Sequence, residues 1–238
     1  MSETKKIRLT INGKEITVEE NTTILHAAQQ NGIDIPTLCY LEGVVALGGC
    51  RLCTVNVTQS GVHALKPACS EQCVDGMIVD TESKDVIDFR RFILDLLISD
   101  HCCSCFGCFN HGACKTRRIS LCTYDQNCFS CGKRDTCKLY EYALRYDLTE
   151  SSFKTERYPV EMDDSHRAFS YNPNRCIRCR RCQRSCEAEQ GEGLIRILGR
   201  GRDTIMYLPE DERCESCMKC ADSCPTGALQ SKLVRVIS

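Results

Sequence analysis

Two runs of four cysteines carry one spacing. Cys176, Cys179, Cys182 and Cys186 read C-x2-C-x2-C-x3-C, and Cys214, Cys217, Cys220 and Cys224 repeat it 38 residues later. Three cysteines so spaced wrap three corners of a [4Fe–4S] cube, and the fourth of each run serves the other cube. The expected sets are therefore Cys176, Cys179, Cys182 with Cys224, and Cys214, Cys217, Cys220 with Cys186. Pro225 follows Cys224 as that signature requires, whereas Glu187 follows Cys186. Paired C-x2-C is also a zinc pattern. Zinc takes four ligands in two pairs, which eight cysteines in two runs of four fit poorly.

A second group lies near the N-terminus, in "CYLEGVVALGGCRLC" and "KPACS". Cys39, Cys50, Cys53 and Cys69 could supply the four thiolates of a [2Fe–2S] cluster, two to each iron. The first gap is x10 rather than the plant-type x4, so the loop is a variant. Gly48 and Gly49 lack a Cβ and let backbone N–H groups approach the sulfurs. Cys73 competes for the fourth place. Cys69 is preferred because "PAC" follows a predicted strand.

These residues sit in a chain of 238 residues with 22 cysteines. The start, "MSETKKIRLT", has no apolar core, so no secretory signal is expected. No run approaches 18 apolar residues, so no membrane span is predicted. Cysteine-rich chains without export use thiols for metal rather than disulfides, which points to a reducing compartment, most simply the cytoplasm. Formal net charge is −1 and gives nucleic-acid binding no support. Metal-bound thiolates would make the assembled protein more acidic than that. With no Trp and few aromatics the ordinary cores are small, and metal must supply part of the folding free energy.

The elements that must position the cysteines follow from periodicity. "KIRLTI" and "KEITVEE" alternate about the Asn12-Gly13 turn and read as a hairpin. Thr22 or Thr23 caps a short helix that ends near Gly32. "CTVNV", "VHALKP" and "MIVDTE" read as strands, giving an α+β unit with a mixed sheet over residues 1–82. "SKDVIDFRRFILDLLIS" is a helix with Val86, Phe89, Ile93, Leu96 and Leu97 as its apolar stripe and Ser83 as its cap. "KLYEYALRYDL" reads as a helix closing residues 83–148. Residues 149–170 read as a linker, and residues 171–238 as a two-[4Fe–4S] ferredoxin-like domain.

The C-terminal runs resemble those of two-cluster bacterial ferredoxins. In combination, "IPTLC", "GGCRLC", "PAC" and "DGM" resemble the N-terminal [2Fe–2S] domain of a wider family. That family includes the iron–sulfur diaphorase subunit of soluble NAD-reducing hydrogenases. It also includes the front end of iron-only hydrogenases and the large iron–sulfur subunit of respiratory complex I. The resemblance implies a β-grasp domain, a His/Cys-ligated cluster domain and a two-cluster module, in that order. Chain length fits the diaphorase subunit best.

The family pattern after the joining helix is H-x3-C-x2-C-x5-C around a [4Fe–4S] cube. His101, Cys105, Cys108 and Cys114 fit it. Yet C-F-x-C-x5-C recurs at Cys128, Cys131 and Cys137, and the family's exit helix follows this second copy. An inserted cluster motif resolves the conflict, with Cys122 as its fourth ligand. The alternative pairs His101 with the second copy and draws the extra cube's fourth ligand from Cys102, Cys103 or Cys122. A third reading makes the second copy a structural zinc knot, or leaves it empty. The inventory is one [2Fe–2S] cluster and four [4Fe–4S] clusters, or three if the inserted motif holds none. His26, His63 and His166 are expected to be ordinary surface or core residues, and His111, inside the first copy, to be exposed.

No G-x-G-x-x-G after a strand, P-loop or nucleophile–base pair stands out. The sequence stops where an iron-only hydrogenase would begin its catalytic domain. Hydride chemistry is therefore expected on a partner. The resemblance implies an electron relay between a flavin- and NAD(P)-binding diaphorase subunit and a catalytic subunit such as hydrogenase or formate dehydrogenase, possible also within an electron-bifurcating complex. The rival is a metal-dependent assembly or sensing protein with structural zinc in residues 101–137. Arg175, Arg178, Arg180, Arg181 and Arg184 crowd the first C-terminal run. They read as charge compensation or as a docking patch for an acidic partner.

Overall fold

A computed structural model describes residues 5–101, 131–148, 151–153 and 160–232. The chain divides into two units, residues 1–40 with 45–94, and residues 41–44 with 95–238. Both mix helix with strand.

In the first unit the Asn12-Gly13 turn joins β1 (Lys6–Ile11) to β2 (Lys14–Glu19). Both turn residues have positive φ, +50° and +78°, as a two-residue hairpin of this hand demands. α1 (Ile24–Gln30) follows, and Thr23 caps it by accepting the His26 N–H at 3.3 Å. β3 (Thr54–Gln59), β4 (Val62–Pro67) and β5 (Ile78–Asp80) complete a five-stranded sheet of order β2-β1-β5-β3-β4. β1 and β5 run parallel and the other pairs antiparallel, so the sheet is mixed as expected. Ile7, Leu9, Ile11, Ile16, Val18, Val55, Val57 and Val79 bury one side chain in two along their strands. They pack in one core with Ile24, Leu25, Ala27 and Ala28 of α1. Each fully buried aliphatic side chain contributes about 1.5–3 kcal/mol.

α2 (Lys84–Ser99) confirms the joining helix and corrects its stripe. The buried stripe is Val86, Arg90, Leu94 and Ile98, four residues apart, with Ser99 buried beside it, while Leu96 is 39% exposed. Apolar periodicity alone passes over Arg90, which is fully buried. Ser83 starts the helix with its carbonyl, bonded to the Ile87 N–H at 3.0 Å, and not with its hydroxyl, which makes no hydrogen bond.

In the second unit α3 (Lys138–Arg145) begins at Cys137, preceded by a 3-10 turn over Arg134–Thr136. β6 (Phe169–Tyr171) pairs with β9 (Leu229–Ser231). Between them lie α4 (Arg181–Gln190), the hairpin of β7 (Arg196–Leu198) and β8 (Ile205–Tyr207), α5 (Arg213–Cys217) and α6 (Lys219–Ser223). Their core holds Phe169, Tyr171, Ile195, Met206, Met218 and Leu229 around the cysteines.

Candidate iron–sulfur sites

The β3–β4 register builds half of the N-terminal site. Thr54 pairs with Pro67, and the Ala68 N–H bonds the Cys53 carbonyl at 3.1 Å, so Cys53 and Cys69 meet where the strands part. The first N–H groups of α1 hold the same loop, Ile24 on the Glu71 carbonyl and Leu25 on that of Ala68, both at 2.9 Å. A helix start would otherwise leave these donors unsatisfied. Thr54 folds the Cys50–Cys53 turn by bonding the Arg51 carbonyl through its N–H at 3.2 Å and its hydroxyl at 2.7 Å.

The four thiols form two hydrogen-bonded pairs, Cys39 with Cys50 and Cys53 with Cys69. Those bonds, followed by burial, hold the Cys50 and Cys53 protons far more tightly than usual. Cys69, the accepting partner of Cys53, is lowered to about 7. Backbone donors also reach these sulfurs, the Cys50 N–H to Cys39 Sγ at 3.4 Å and the Gly48 N–H to Cys69. Gly48 has φ +63°, a conformation that suits glycine. Cys73 stands apart. Burial alone pushes its thiol up to about 11, and its N–H is tied to the Thr22 carbonyl at 2.8 Å.

The eight C-terminal cysteines sort into two groups, each lining its own cavity. Cys176, Cys179, Cys182 and Cys224 line about 450 Å³ of atom-free space with Tyr171 and Met206. Cys186, Cys214, Cys217 and Cys220 line about 380 Å³ with His166 and Phe169. The backbone explains the crossing. The Thr226 hydroxyl bonds the Arg175 carbonyl at 2.8 Å, and the Asn172 N–H bonds that of Ala228 at 2.7 Å. These bonds seat Cys224 beside the first run. On the other side, the Ser185 hydroxyl bonds the Lys219 carbonyl at 3.3 Å and ties α4, which carries Cys186, to α6. Arg180 and Met218, each two residues before the third cysteine of its run, share the left-handed conformation at φ +59° and +55°. The repeat is thus one of backbone as well as sequence.

Crowding shows in the protonation of these thiols. Burial first, then the neighbouring Cys224 and Cys176, push Cys179 up to about 12. Burial, then Cys186, Cys214 and Cys217, do the same to Cys220. Each set therefore feels its own members. The Arg178 N–H reaches Cys176 Sγ at 3.4 Å, and the Tyr171 hydroxyl bonds the same sulfur. Met206 Sδ packs on Cys182 Sγ at 3.4 Å.

Residues 4–84 match the model of the 2Fe-2S iron-sulfur cluster binding domain, and residues 175–228 that of the 4Fe-4S dicluster domain. The chain carries a [2Fe–2S] domain and a [4Fe–4S] dicluster domain. It is similar to the NADP-reducing hydrogenase subunit HndD of Solidesulfovibrio fructosivorans, with 33% identity over 94% of this chain and 36% of that protein. It is also similar to the NAD-reducing hydrogenase HoxS subunit gamma of Cupriavidus necator, with 28% identity over 96% of this chain and 88% of that protein. A crystal structure of NAD+-reducing [NiFe]-hydrogenase in the H2-reduced state superposes with a TM-score of 0.75 at 26% identity, over 98% of this chain and 90% of that one. The resemblance read from the motifs is therefore borne out. The chain spans only 24% to 36% of several longer relatives.

The donor sets fit iron–sulfur clusters. Four soft sulfurs converge at each of the three sites, with N–H groups aimed at Cys39, Cys69 and Cys176. Clustered thiols with raised affinity for their protons are unfavourable as thiolates on their own. Iron bound by these sulfurs would reverse that balance by supplying the positive charge.

The middle motifs are described in part. Cys105, Cys108, Cys114, Cys122 and Cys128 lie outside the described residues, as do Cys102, Cys103 and His111. His101 is buried at the end of α2, and the neighbouring Asp100 pairs with Arg178, inside the Cys176–Cys179 loop. Cys137 is buried, and the Lys138 N–H bonds the Pro225 carbonyl at 2.9 Å. Gln230 Nε2 approaches Cys131 Sγ at 3.9 Å, and Lys133 Nζ bonds the Ala221 carbonyl at 3.2 Å. The described part of the second motif copy, residues 131–137, thus contacts α6 and the segment that follows Cys224.

Sequence reasoning missed several residues here. Tyr171 and Met206 gave no signal, because a strand aromatic and a strand methionine read as core. His166 was expected to be an ordinary surface or core residue; it is buried, and what went unread is its place in the lining of the second cavity. Its Nδ1 accepts the Ala168 N–H at 3.1 Å, so Nε2 carries the proton and donates to the Pro209 carbonyl at 3.1 Å. His26 and His63 are exposed and bond Tyr40 and Thr58, as ordinary residues do. Among the described residues no helix is long and apolar enough to cross a membrane.

Proposed function

We propose that this chain is an electron-relay subunit. It carries single electrons between a flavin- and NAD(P)-binding diaphorase partner and a catalytic oxidoreductase subunit such as hydrogenase or formate dehydrogenase. The observation that carries this reading is the sorting of twelve cysteines into three separate sets of four within one chain. Cys39, Cys50, Cys53 and Cys69 would hold a [2Fe–2S] cluster. Cys176, Cys179, Cys182 and Cys224 would hold one [4Fe–4S] cube, and Cys186, Cys214, Cys217 and Cys220 another. When bound, such clusters supply one-electron donor and acceptor states over roughly −700 to +450 mV. The middle segment would add a cube on His101, Cys105, Cys108 and Cys114, and another on Cys122, Cys128, Cys131 and Cys137. The relatives' printed functions, NAD- and NADP-linked hydrogenase subunits, support the choice of partners.

The chain's own residues shape the sites. The N–H groups of Gly48, Cys50 and Arg178 favour thiolate over thiol and stabilise added negative charge. Tyr171 and Met206 at one cavity, with Phe169 and His166 at the other, keep water from the sulfurs. Exposed Arg180 and its neighbours balance charge at the first cavity. A relay needs fixed sites more than moving parts, and the short strands and helices around each set provide them.

Iron and acid-labile sulfide counted on anaerobically prepared protein test the reading. Five clusters give about 18 irons per chain and four about 14. Dithionite should bleach the visible absorbance, and the chain alone should not oxidise NADH or NADPH. A protein rich in zinc and poor in iron would reverse the conclusion in favour of a structural zinc protein.

A further inference from the structure

Strand β6 serves both C-terminal sites. Its Phe169 lines the cavity of Cys186, Cys214, Cys217 and Cys220, and its Tyr171 lines that of Cys176, Cys179, Cys182 and Cys224. Residues two apart on a strand project to one face, so a single strand face lends one aromatic ring to each set. Both rings are buried. Phe169 stacks on the His166 ring, with centroids 5.0 Å apart. Tyr171 differs from it by a hydroxyl, which bonds Cys176 Sγ.

The backbone fixes the Tyr171 ring from two flanks. Its N–H bonds the Asp163 carbonyl and its carbonyl accepts the Asp163 N–H, both at 2.8 Å. Across the β6–β9 pairing it faces Leu229, which lines the same cavity. On the sulfur's side, Cys176 ends the 3-10 turn Pro173–Arg175, and the Arg178 N–H reaches the same Sγ at 3.4 Å. A thiolate on iron has no proton to give, so the phenol must donate. Donation to an ionised sulfur shielded from water is a charge-assisted bond. It strengthens as electron density on the sulfur grows, and one-electron reduction of a cube adds that density. No proton moves in the step, because the phenol keeps its own. Phe169 offers no such donor to the other set.

We propose that Tyr171 tunes the first C-terminal cube, its hydroxyl raising that cube's reduction potential and so biasing an electron shared by the two cubes toward Cys176, Cys179, Cys182 and Cys224. This rests on the reading that both sets of four cysteines hold [4Fe–4S] clusters. Hydrogen bonds to the sulfurs are among the levers that set iron–sulfur potentials. Two cubes in identical surroundings would share an electron evenly. The phenol on one side of β6 and the phenyl on the other break that symmetry.

The test is a dithionite titration of the full iron-loaded chain, followed by electron paramagnetic resonance of the [4Fe–4S] centres. It compares the wild type, Y171F, and a chain with 3-fluorotyrosine in place of Tyr171. Y171F keeps the ring and removes the donor, and it should lower the midpoint potential of one [4Fe–4S] centre alone. The fluorinated phenol is a stronger donor of nearly the same volume and should raise that midpoint, a change that packing by itself would not produce. If Y171F loses iron, the fluorotyrosine chain decides in its place. Unmoved midpoints in an iron-replete Y171F, or an equal shift of every centre, would overturn the proposal. So would an iron-depleted Y171F beside a fluorotyrosine chain that matches the wild type. A wild-type chain without any [4Fe–4S] signal would instead remove the underlying reading, and this one with it.

Discussion

Cys131 Sγ lies against the backbone of Gly227, so close that a Cβ on that glycine would overlap the sulfur. The glycine is required by the cysteine, although 96 residues separate them. Gly227 Ala should therefore act at Cys131. Overpacking of this kind costs about 1–3 kcal/mol. A G227A chain is expected to melt at lower temperature and to lose iron from the second middle motif before it loses dicluster iron. Calorimetry with iron analysis decides it, and an unchanged melt with full iron would show that Cys131 is not seated there.

Cys69 and Cys73 are both buried, but only Cys69 shares a hydrogen bond with another cysteine of the group. C69S should cost the [2Fe–2S] signal and about two irons per chain. C73S should leave both in place. Iron analysis and low-temperature resonance spectra of the two variants give opposite answers if the fourth ligand is Cys73 instead.

Burial raises the Cys73 thiol from an ordinary 9.0 to about 11. In the unfolded chain this thiol ionises first as pH rises, so between those values the unfolded state binds fewer protons and stability falls. Below 9 the contribution is constant. Denaturation by urea at about pH 8 and about pH 10.5 should show a larger alkaline loss for the wild type than for C73A. Equal losses would mean that Cys73 does not titrate in this range.

Arg180 and Met218 occupy equivalent left-handed positions but differ in surroundings. Arg180 is exposed, and Met218 is 5% exposed within the core. Glycine relieves about 1–2 kcal/mol of backbone strain at such a position, less its own conformational entropy. R180G should be neutral or slightly stabilising. M218G should be destabilising, because a buried methionine contributes about 1.5–3 kcal/mol. Thermal bleaching of the visible absorbance ranks the two, and the reverse order would refute the assignment of Met218 to the core.

Much of this was legible in the residues. The Asn12-Gly13 hairpin, the Thr23 cap and the β3, β4 and β5 strands follow from local turn chemistry and alternation, which act over a few residues. The crossed grouping of Cys186 and Cys224 follows from ligand spacing. Arg90 was not legible, because periodicity weighs apolar residues and the Thr54 carbonyl that this buried charge bonds lies 36 residues away. The β7–β8 hairpin escaped for a related reason. Each strand has three residues, too few for alternation to register, and the chain there reads simply as rich in glycine and arginine. Tyr171, Met206 and His166 owe their places to contacts made across the fold, which no window along the sequence contains.

The seating of Cys224 with Cys176, Cys179 and Cys182 also sets an order on biogenesis. A ribosome that has just released the first run exposes three sulfurs whose fourth companion is not yet translated. Neither C-terminal cube could then be completed on the nascent chain until the second run had emerged. Maturation there should wait for the second run, with both metal loads delivered together rather than piecemeal along the way.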